Sequence, residues 1–190
     1  MGMTLSEKIF SHAVGKEVRA GELVILTPDV VMSHDSLTPS IIDILRSELG
    51  KQEVFDPDQL VFVFDHVAPA ATVGTADQQN KVRQFALEQG IRLFDIGSGV
   101  CHQVLVEEKI AQPGKIIVGA DSHSTSYGSV GAFGTGMGST DVALIWATGK
   151  TWMKTPETFR IMIKGRYPKG ISAKDLALRL AKEISISGAT

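Results

Sequence analysis

The chain has 190 residues, of which 43% are hydrophobic and 21% charged, a composition typical of a globular domain that buries a core. Its net charge of −2, from 19 basic and 21 acidic residues, gives no electrostatic case for a nucleic acid or an anionic membrane as a partner. No apolar run is long enough to span a bilayer, and the N-terminus lacks the apolar core of a signal peptide. The single cysteine, Cys101, can neither form an internal disulfide nor hold a metal centre alone, so we expect a cytoplasmic protein.

Helix and strand signals alternate along the chain. The first helix carries a capping box of Thr4 and Glu7, and a Pro in the first turn begins the second. In chain order we predict helix 4–15, strand 23–26, helix 38–50, strand 60–64, helix 75–89, strands 91–94 and 115–118, helix 139–148, strand 159–164 and helix 172–183. The alternation predicts an α/β fold, with a mostly parallel sheet between two layers of helices.

Four of the five histidines follow predicted strands or lie in loops beside polar residues. They fall in the segments His34-Asp35, Asp65-His66, Cys101-His102 and Asp121-Ser122-His123. Ligands of open parallel sheets bind beyond the carboxyl ends of the strands. The pattern therefore predicts one shared site, and we assign no role to the remaining His12, which lies within the first predicted helix.

The adjacent Asp65 and His66 allow two interpretations. Neighbours on a regular strand point to opposite faces, so the pair acts together only if the backbone turns there. Asp65 would then orient His66 and favour its protonated form, which suits a general acid. Alternatively, Asp65 only accepts hydrogen bonds from backbone N–H groups of the loop.

The most glycine-dense stretch is 128–138. Its glycines permit a tight loop whose backbone N–H groups could hold an anion. They would equally allow a helix to pack closely against the sheet. The spacing does not match a dinucleotide-binding loop, because Ser139 occupies the third glycine position.

Cys101 lies beside His102, which raises the possibility of a cysteine nucleophile. An isolated cysteine is more often a small apolar residue that fills space next to a functional side chain. We therefore favour the packing role.

Four motifs occur in a fixed order: FDH at 64–66, GVCHQ at 99–103, GADSH at 119–123 and GAFGTGMGSTD at 131–141. Together they resemble the aconitase superfamily, above all the large subunits of the 3-isopropylmalate dehydratase and homoaconitase branch. The resemblance covers essentially the whole chain. It implies the aconitase-type N-terminal domain fold and a hydro-lyase, which removes water from a hydroxy-di- or tricarboxylic acid and adds it back at the neighbouring carbon.

The resemblance also implies two catalytic pairs. His66 would be the acid that protonates the departing hydroxyl, with Asp65 as its partner. His102 and Asp121 would form a second pair near the water bound to the cofactor of the family.

Three further roles follow from the same resemblance. His123, among the catalytic groups, and Ser122 would line the region of substrate and cofactor. His34 and Ser122 would bind substrate, with His34 near a carboxylate. No residue is assigned as a metal ligand.

The family uses a [4Fe-4S] cluster held by three cysteines, and the sequence lacks these. The arginines and the serine base of the family are missing as well. We therefore interpret 1–190 as the N-terminal portion of a large-subunit catalytic domain, truncated before the cluster cysteines. The expected partners are a small, swivel-domain subunit and a small hydroxy acid, and we expect the portion alone to be inactive and to bind no cluster.

Two other functions stay open. The His and Asp side chains would also suit a stand-alone hydrolase that depends on a bound divalent metal. The chain could alternatively be a non-catalytic module that only docks to a partner. The sequence does not choose among isopropylmalate, homocitrate, citrate and a methylated malate as substrate.

Overall fold

The computed structural model describes residues 2–185, so the chain end at Thr190 lies outside the described residues. The chain forms two compact units, Met1–Pro156 and Glu157–Thr190. The helices are α1 (Leu5–Val14), α2 (Thr38–Asp43), α3 (Val73–Gln89), α4 (Cys101–Glu107), α5 (Ser139–Thr148) and α6 (Ala173–Ile184). The strands are β1 (Leu23–Leu26), β2 (Val30–His34), β3 (Leu60–Val63), β4 (Arg92–Phe94), β5 (Ile116–Gly119), β6 (Phe133–Gly136) and β7 (Thr151–Lys154). A π-helical turn (Ile44–Glu48) and 3-10 helices (Pro57–Gln59 and Ser122–Val130) complete them.

The main sheet has five strands in the order β4-β3-β2-β5-β6, and every neighbouring pair is parallel. This arrangement brings the carboxyl ends of β3, β2 and β5 side by side. β1 and β7 form a separate antiparallel ribbon. The α/β prediction is confirmed.

Both faces of the sheet are covered, because alternate strand residues point to opposite sides. On one side, Phe62 and Val118 pack with side chains of α1, α2, α3 and α5. On the other side, Val63 and Ile117 pack with α4 and with Tyr127 of the longer 3-10 helix. The result is the expected three-layer α/β/α architecture.

The local signals at the helix ends behave as the sequence predicts. At α1, the Thr4 hydroxyl accepts the Glu7 N–H, and the Glu7 carboxylate accepts the Thr4 N–H. Gly15 ends α1 with a φ of 70°, which glycine adopts without strain. The second predicted helix continues from α2 through the π-helical turn.

The predicted strand 159–164 is wrong. Its apolar residues suit a strand, but among the described residues 159–164 form no strand and pair with none. Three strands and one α-helix were not predicted, namely β2, β6, β7 and α4, and neither were the two 3-10 helices. Because β2 was missed, His34 was expected in a loop after β1, whereas it is the last residue of a central strand.

The glycine-rich stretch lies partly in β6 and serves close packing. A Cβ on Gly134 would lie 2.3 Å from the carbonyl oxygen of Ser124, and one on Gly136 would lie 2.4 Å from that of Asp121. The 3-10 helix Ser122–Val130 can therefore approach β6 only because these side chains are absent. The packing interpretation of the stretch is supported.

The second unit contains α6, which begins as expected at Ser172. Both the N–H and the hydroxyl of Ser172 donate to the Asp175 carboxylate at 2.8 Å. The helix is amphipathic, and none of its residues is buried. Within residues 2–185 there is no helix with the length and apolarity that crossing a membrane requires.

Candidate active site

The site residues lie beyond the carboxyl ends of β3, β2 and β5. His34 ends β2, the Asp65-His66 pair follows β3, and Asp121 follows β5. His102 lies in the first turn of α4. The structure therefore brings together the four segments that the sequence singled out, as the parallel sheet predicts.

Asp35 holds the loop that carries His66. Its Oδ1 accepts the N–H groups of Asp65 and His66 at 3.2 and 2.9 Å, and its Oδ2 accepts the Val67 N–H at 3.0 Å and Gln79 Nε2 at 3.2 Å. Burial would raise the pKa of the Asp35 carboxyl, but these hydrogen bonds outweigh burial and lower the pKa. A buried carboxylate thus fixes the turn, a role that the sequence analysis did not assign.

Asp65 makes both kinds of contact that were considered for the Asp65-His66 pair, one to the His66 ring and one to a backbone N–H group. The backbone leaves β3 after Val63, so the two side chains meet, with 2.6 Å between Asp65 Oδ1 and His66 Nδ1. Asp65 Oδ2 accepts the Cys101 N–H at 2.6 Å, at the N-terminus of α4. A negative charge is favourable there. The carboxylate orients His66 and also anchors the helix that carries His102.

The His34 ring packs against the His66 ring. The two rings are stacked, and the His34 side chain is 2% exposed with its Nδ1 3.0 Å from the Ser36 hydroxyl. Burial, and then the nearby charge of His66, lower the pKa of His34 to about 4. A buried neutral ring is poorly placed to meet a substrate carboxylate, so the geometry favours a supporting role over the expected contact.

Asp121 lies among three imidazoles. Its Oδ1 is 3.0 Å from His102 Nε2 and 3.2 Å from His123 Nδ1, and its Oδ2 is 3.6 Å from His66 Nε2. Burial would raise the pKa of the Asp121 carboxyl, but the His123 backbone and side chain, together with the charge of His102, lower it. The carboxylate therefore stays ionised and connects the two predicted pairs.

The three imidazoles differ in how their nitrogens are engaged. Both nitrogens of His102 have partners, because its Nδ1 is 3.1 Å from the hydroxyl of buried Tyr127. His66 is held at Nδ1, and its Nε2 is beyond hydrogen-bond distance of Asp121. The His123 side chain is 79% exposed. His66 and His123 are thus the imidazoles with a nitrogen available to a ligand.

Ser122 is exposed at the start of the longer 3-10 helix, where a ligand can reach it.

Cys101 is fully buried. Burial, and then the neighbouring Asp65, raise the pKa of its thiol. A protonated, buried thiol fits the packing role that we favoured over a nucleophile.

Part of the site is exposed to solvent, since the side chains of His66 and His123 are 36% and 79% exposed. Two described cavities, of about 570 and 450 Å³, lie elsewhere, and neither is lined by the site residues. The first is lined by the starting residues of β2, β3 and β4, at the opposite edge of the sheet.

The residues of this chain do not fit a [4Fe-4S] cluster as ligands. Such clusters are held mainly by cysteine thiolates, whereas Cys101 is the chain's one cysteine and its thiol is buried and protonated. The nearby nitrogen and oxygen atoms suit other metals better. Ligand atoms of His102, Asp121 and His123 lie within 4.8 Å of one another.

Comparison with protein families gives a match over almost the whole chain. The family model described as the aconitase family (aconitate hydratase) matches residues 7–190. The chain belongs to the aconitase family. All the site residues lie within the matched region.

Curated aconitase-family relatives match the chain from end to end. It is 52% identical to the 3-isopropylmalate dehydratase large subunit of Herpetosiphon aurantiacus, over 100% of this chain and 46% of that protein. It is also 52% identical to the homoaconitase large subunit of Thermus thermophilus, over 100% and 45%. A probable methanogen homoaconitase large subunit from Methanothermobacter thermautotrophicus is 46% identical, over 99% and 45%. The chain spans less than half the length of these relatives.

Proposed function

We propose that this chain is the N-terminal part of a hydro-lyase large subunit of the 3-isopropylmalate dehydratase or homoaconitase type. The activity is the removal of water from a hydroxy-di- or tricarboxylic acid and its re-addition at the neighbouring carbon. Family membership and the names of the relatives support the reaction class. The orientation of His66 supports a role of this chain in supplying the general acid.

His66 is the general acid of the proposal. Asp65 holds Nδ1, so the proton on Nε2 of the protonated ring is the one that is transferred, and the side chain is 36% exposed and open to substrate. When the carbon–oxygen bond breaks, the proton passes from Nε2 to the departing hydroxyl, which leaves as water. A base outside this chain takes the proton from the neighbouring carbon.

His102 and Asp121 form the second pair of the proposal. With both ring nitrogens engaged, His102 is rigid and keeps the Asp121 carboxylate in place. The ionised carboxylate can accept a hydrogen bond from water at the reacting centre. His123 and Ser122 line the adjoining exposed surface, where they can contact substrate.

The remaining parts of the proposal come from the family resemblance. The full-length enzyme would carry a [4Fe-4S] cluster on cysteines outside this chain and would pair with a small subunit. We also place the enzyme in the cytoplasm and expect 1–190 alone to be inactive. The substrate is a hydroxy acid of the isopropylmalate or homocitrate class.

A hybrid protein tests the proposal. Residues 1–190 replace the corresponding part of the Herpetosiphon aurantiacus large subunit, and the hybrid is combined with that organism's small subunit. We expect dehydration of 3-isopropylmalate, and we expect His66→Asn to lower kcat by a factor on the order of 100 or more. His12→Asn, in α1, is the matched control and should leave kcat unchanged.

Two results would count against the proposal. A folded hybrid that binds the small subunit but dehydrates neither 3-isopropylmalate nor homocitrate contradicts the function. An active hybrid in which His66→Asn retains full kcat contradicts the role of His66 alone.

A further inference from the structure

We infer that Tyr127 is a positioning residue of the site, which acts on Asp121 through His102. The Tyr127 hydroxyl donates a hydrogen bond to His102 Nδ1, so the opposite nitrogen, Nε2, carries the ring hydrogen and donates to the Asp121 carboxylate. Tyr127 lies between the GADSH motif and the glycine-rich motif, and its part in catalysis rests on the hydro-lyase activity proposed above.

Three side chains form a continuous hydrogen-bonded chain from the protein interior to the site. The Tyr127 side chain is fully buried, and its hydroxyl is 3.1 Å from His102 Nδ1. His102 Nε2 is in turn 3.0 Å from Asp121 Oδ1. Within residues 2–185, the Tyr127 hydroxyl has no other hydrogen-bond partner. The contact with His102 is therefore the one polar role that the described residues give to this hydroxyl.

The ionised Asp121 carboxylate sets the direction of both hydrogen bonds. A carboxylate can only accept, so His102 Nε2 must carry the hydrogen of their contact. A neutral imidazole has one such hydrogen, which leaves a lone pair on Nδ1. This lone pair accepts the hydroxyl hydrogen of Tyr127, which the hydroxyl retains because burial raises its pKa. Both partners of His102 thus select the same tautomer.

Packing fixes the Tyr127 ring, so its hydroxyl is a rigid donor. The ring belongs to the buried cluster that includes side chains of α4, β2, β3 and β5. It also lies against the backbone of β6, because a Cβ on Gly134 would be 3.2 Å from the ring atom Cδ2. The rings of Tyr127 and His102 meet at an angle of 66° with 5.4 Å between their centroids. The fixed hydroxyl therefore opposes rotation of the His102 ring.

The orientation of His102 decides which Asp121 oxygen faces the proposed acid. Oδ1 accepts from His102 Nε2, whereas Oδ2 lies 3.6 Å from His66 Nε2. If His102 exchanged its tautomer, the lone pair of Nε2 would face Oδ1 and repel the carboxylate. A residue that fixes the tautomer of a catalytic histidine can govern kcat without touching the substrate. We therefore expect Tyr127 to affect kcat and not KM.

Nitrogen-15 spectra of the histidine-labelled 190-residue chain test the hydrogen bonds. At pH 8, above the ordinary titration range of imidazoles, His102 should carry its hydrogen on Nε2 and a hydrogen-bonded lone pair on Nδ1. Tyr127→Phe keeps the ring and removes the hydroxyl, so the Nδ1 resonance should move toward that of a nitrogen without a partner. Tyr167→Phe, at the chain's other tyrosine, is the matched control and should leave the resonance unchanged.

A stronger donor should produce the opposite shift. In the Tyr167→Phe chain, 3-fluorotyrosine can be incorporated at position 127 alone, where the fluorine strengthens the hydroxyl as a donor. The Nδ1 resonance should then move away from its position in Tyr127→Phe. A change in packing alone would not give shifts of opposite sign. This variant also keeps the test decisive should Tyr127→Phe unfold, which circular dichroism would detect.

The hybrid enzyme described above measures the effect on catalysis. Tyr127→Phe should lower kcat by about tenfold, the change that corresponds to one lost hydrogen bond. Its KM should change by less than about twofold, because the hydroxyl makes no contact with substrate. Tyr167→Phe should leave both parameters unchanged.

Three results would overturn the inference. They are a hydrogen on Nδ1 rather than Nε2 of His102 in the unaltered chain, an unchanged Nδ1 resonance in Tyr127→Phe, and an active hybrid that keeps full kcat in that variant. An inactive hybrid counts against the hydro-lyase proposal instead. The spectra need no activity, so they decide on the positioning of His102 in either case.

Discussion

The imidazole rings of His34 and His66 lie face to face, with 3.5 Å between their centroids and 8° between their planes. Two protonated rings in this position would repel each other, and burial already disfavours a charge on His34. Both effects lower the pKa of His34 to about 4, although the nearby carboxylates of Asp65 and Asp121 oppose them. At neutral pH, the His34 ring of this stack is therefore uncharged.

The stack predicts how stability depends on pH. The unfolded chain binds a proton on His34 near pH 6.5, whereas the folded chain binds it only near pH 4. Between pH 4 and 6.5 the unfolded state therefore binds more protons than the folded state. The contribution of His34 to the free energy of unfolding rises with pH over this range, by roughly 3 kcal/mol in total. Urea unfolding at pH 4.5, 5.5 and 7 should show a shallower dependence in His34→Gln. An unchanged slope, or the same change in His12→Gln, contradicts this account.

Asp35 should be critical for stability. Asp35→Ala removes the acceptor of three part-buried backbone hydrogen bonds and of one from buried Gln79, which keeps only the Val67 carbonyl, so the free energy of unfolding should fall by about 3 kcal/mol or more. Asp35→Asn should lose less, because one carbonyl acceptor remains. Asp43→Asn, which removes an exposed ion pair with Lys81, is the control and should cost under about 1 kcal/mol. Equal losses in Asp35→Ala and Asp43→Asn would show that the loop does not depend on Asp35.

The contact between β6 and the longer 3-10 helix should not tolerate a methyl group. Gly134→Ala places Cβ 2.3 Å from a backbone oxygen, so we expect a loss of about 2 kcal/mol or more in unfolding free energy. Gly128→Ala adds the same group where no atom lies within 4 Å and should change stability by less than about 1 kcal/mol. Thermal unfolding of both variants measures the difference, and similar melting temperatures would contradict the close-packing interpretation.

Cys101 should be chemically inert in the folded chain. Burial and the neighbouring Asp65 raise the pKa of its thiol, so little thiolate is available for reaction. A disulfide reagent such as dithiobis-nitrobenzoate at pH 8 should label the urea-unfolded chain fully while the folded chain stays unlabelled. Rapid labelling of the folded chain would reopen the nucleophile interpretation.

Much of the site was predictable because the strands before it carry strong signals. The apolar runs at 60–64 and 115–118 place Asp65, His66, Asp121 and His123 at one sheet edge. Strand β2, whose last residue is His34, was not predicted. It is short, and its last two residues, Ser33 and His34, are polar although they are buried. Its place in the sheet depends on pairing with β3 and β5, which no local pattern reveals.

The residues that position the imidazoles could not be predicted for a similar reason. Asp35 acts on backbone 30 to 32 positions away, and Tyr127 meets His102 across 25 positions. The segment 159–164 shows the opposite situation. Its local pattern suits a strand, but no described strand pairs with it. Hydrogen bonds between distant segments decide both outcomes, and the spacing of residues along the chain does not encode them.

The two-sided attachment of Asp65 limits how this scaffold can be re-engineered. One oxygen holds the His66 ring and the other holds the first residue of α4, so a longer Glu side chain would displace both imidazole-bearing segments together. A designer who seeks a new substrate should therefore keep position 65 and diversify the exposed Ser122 instead. In a library of variants of this chain, few substitutions of Asp65 should leave the protein folded, whereas many substitutions of Ser122 should do so.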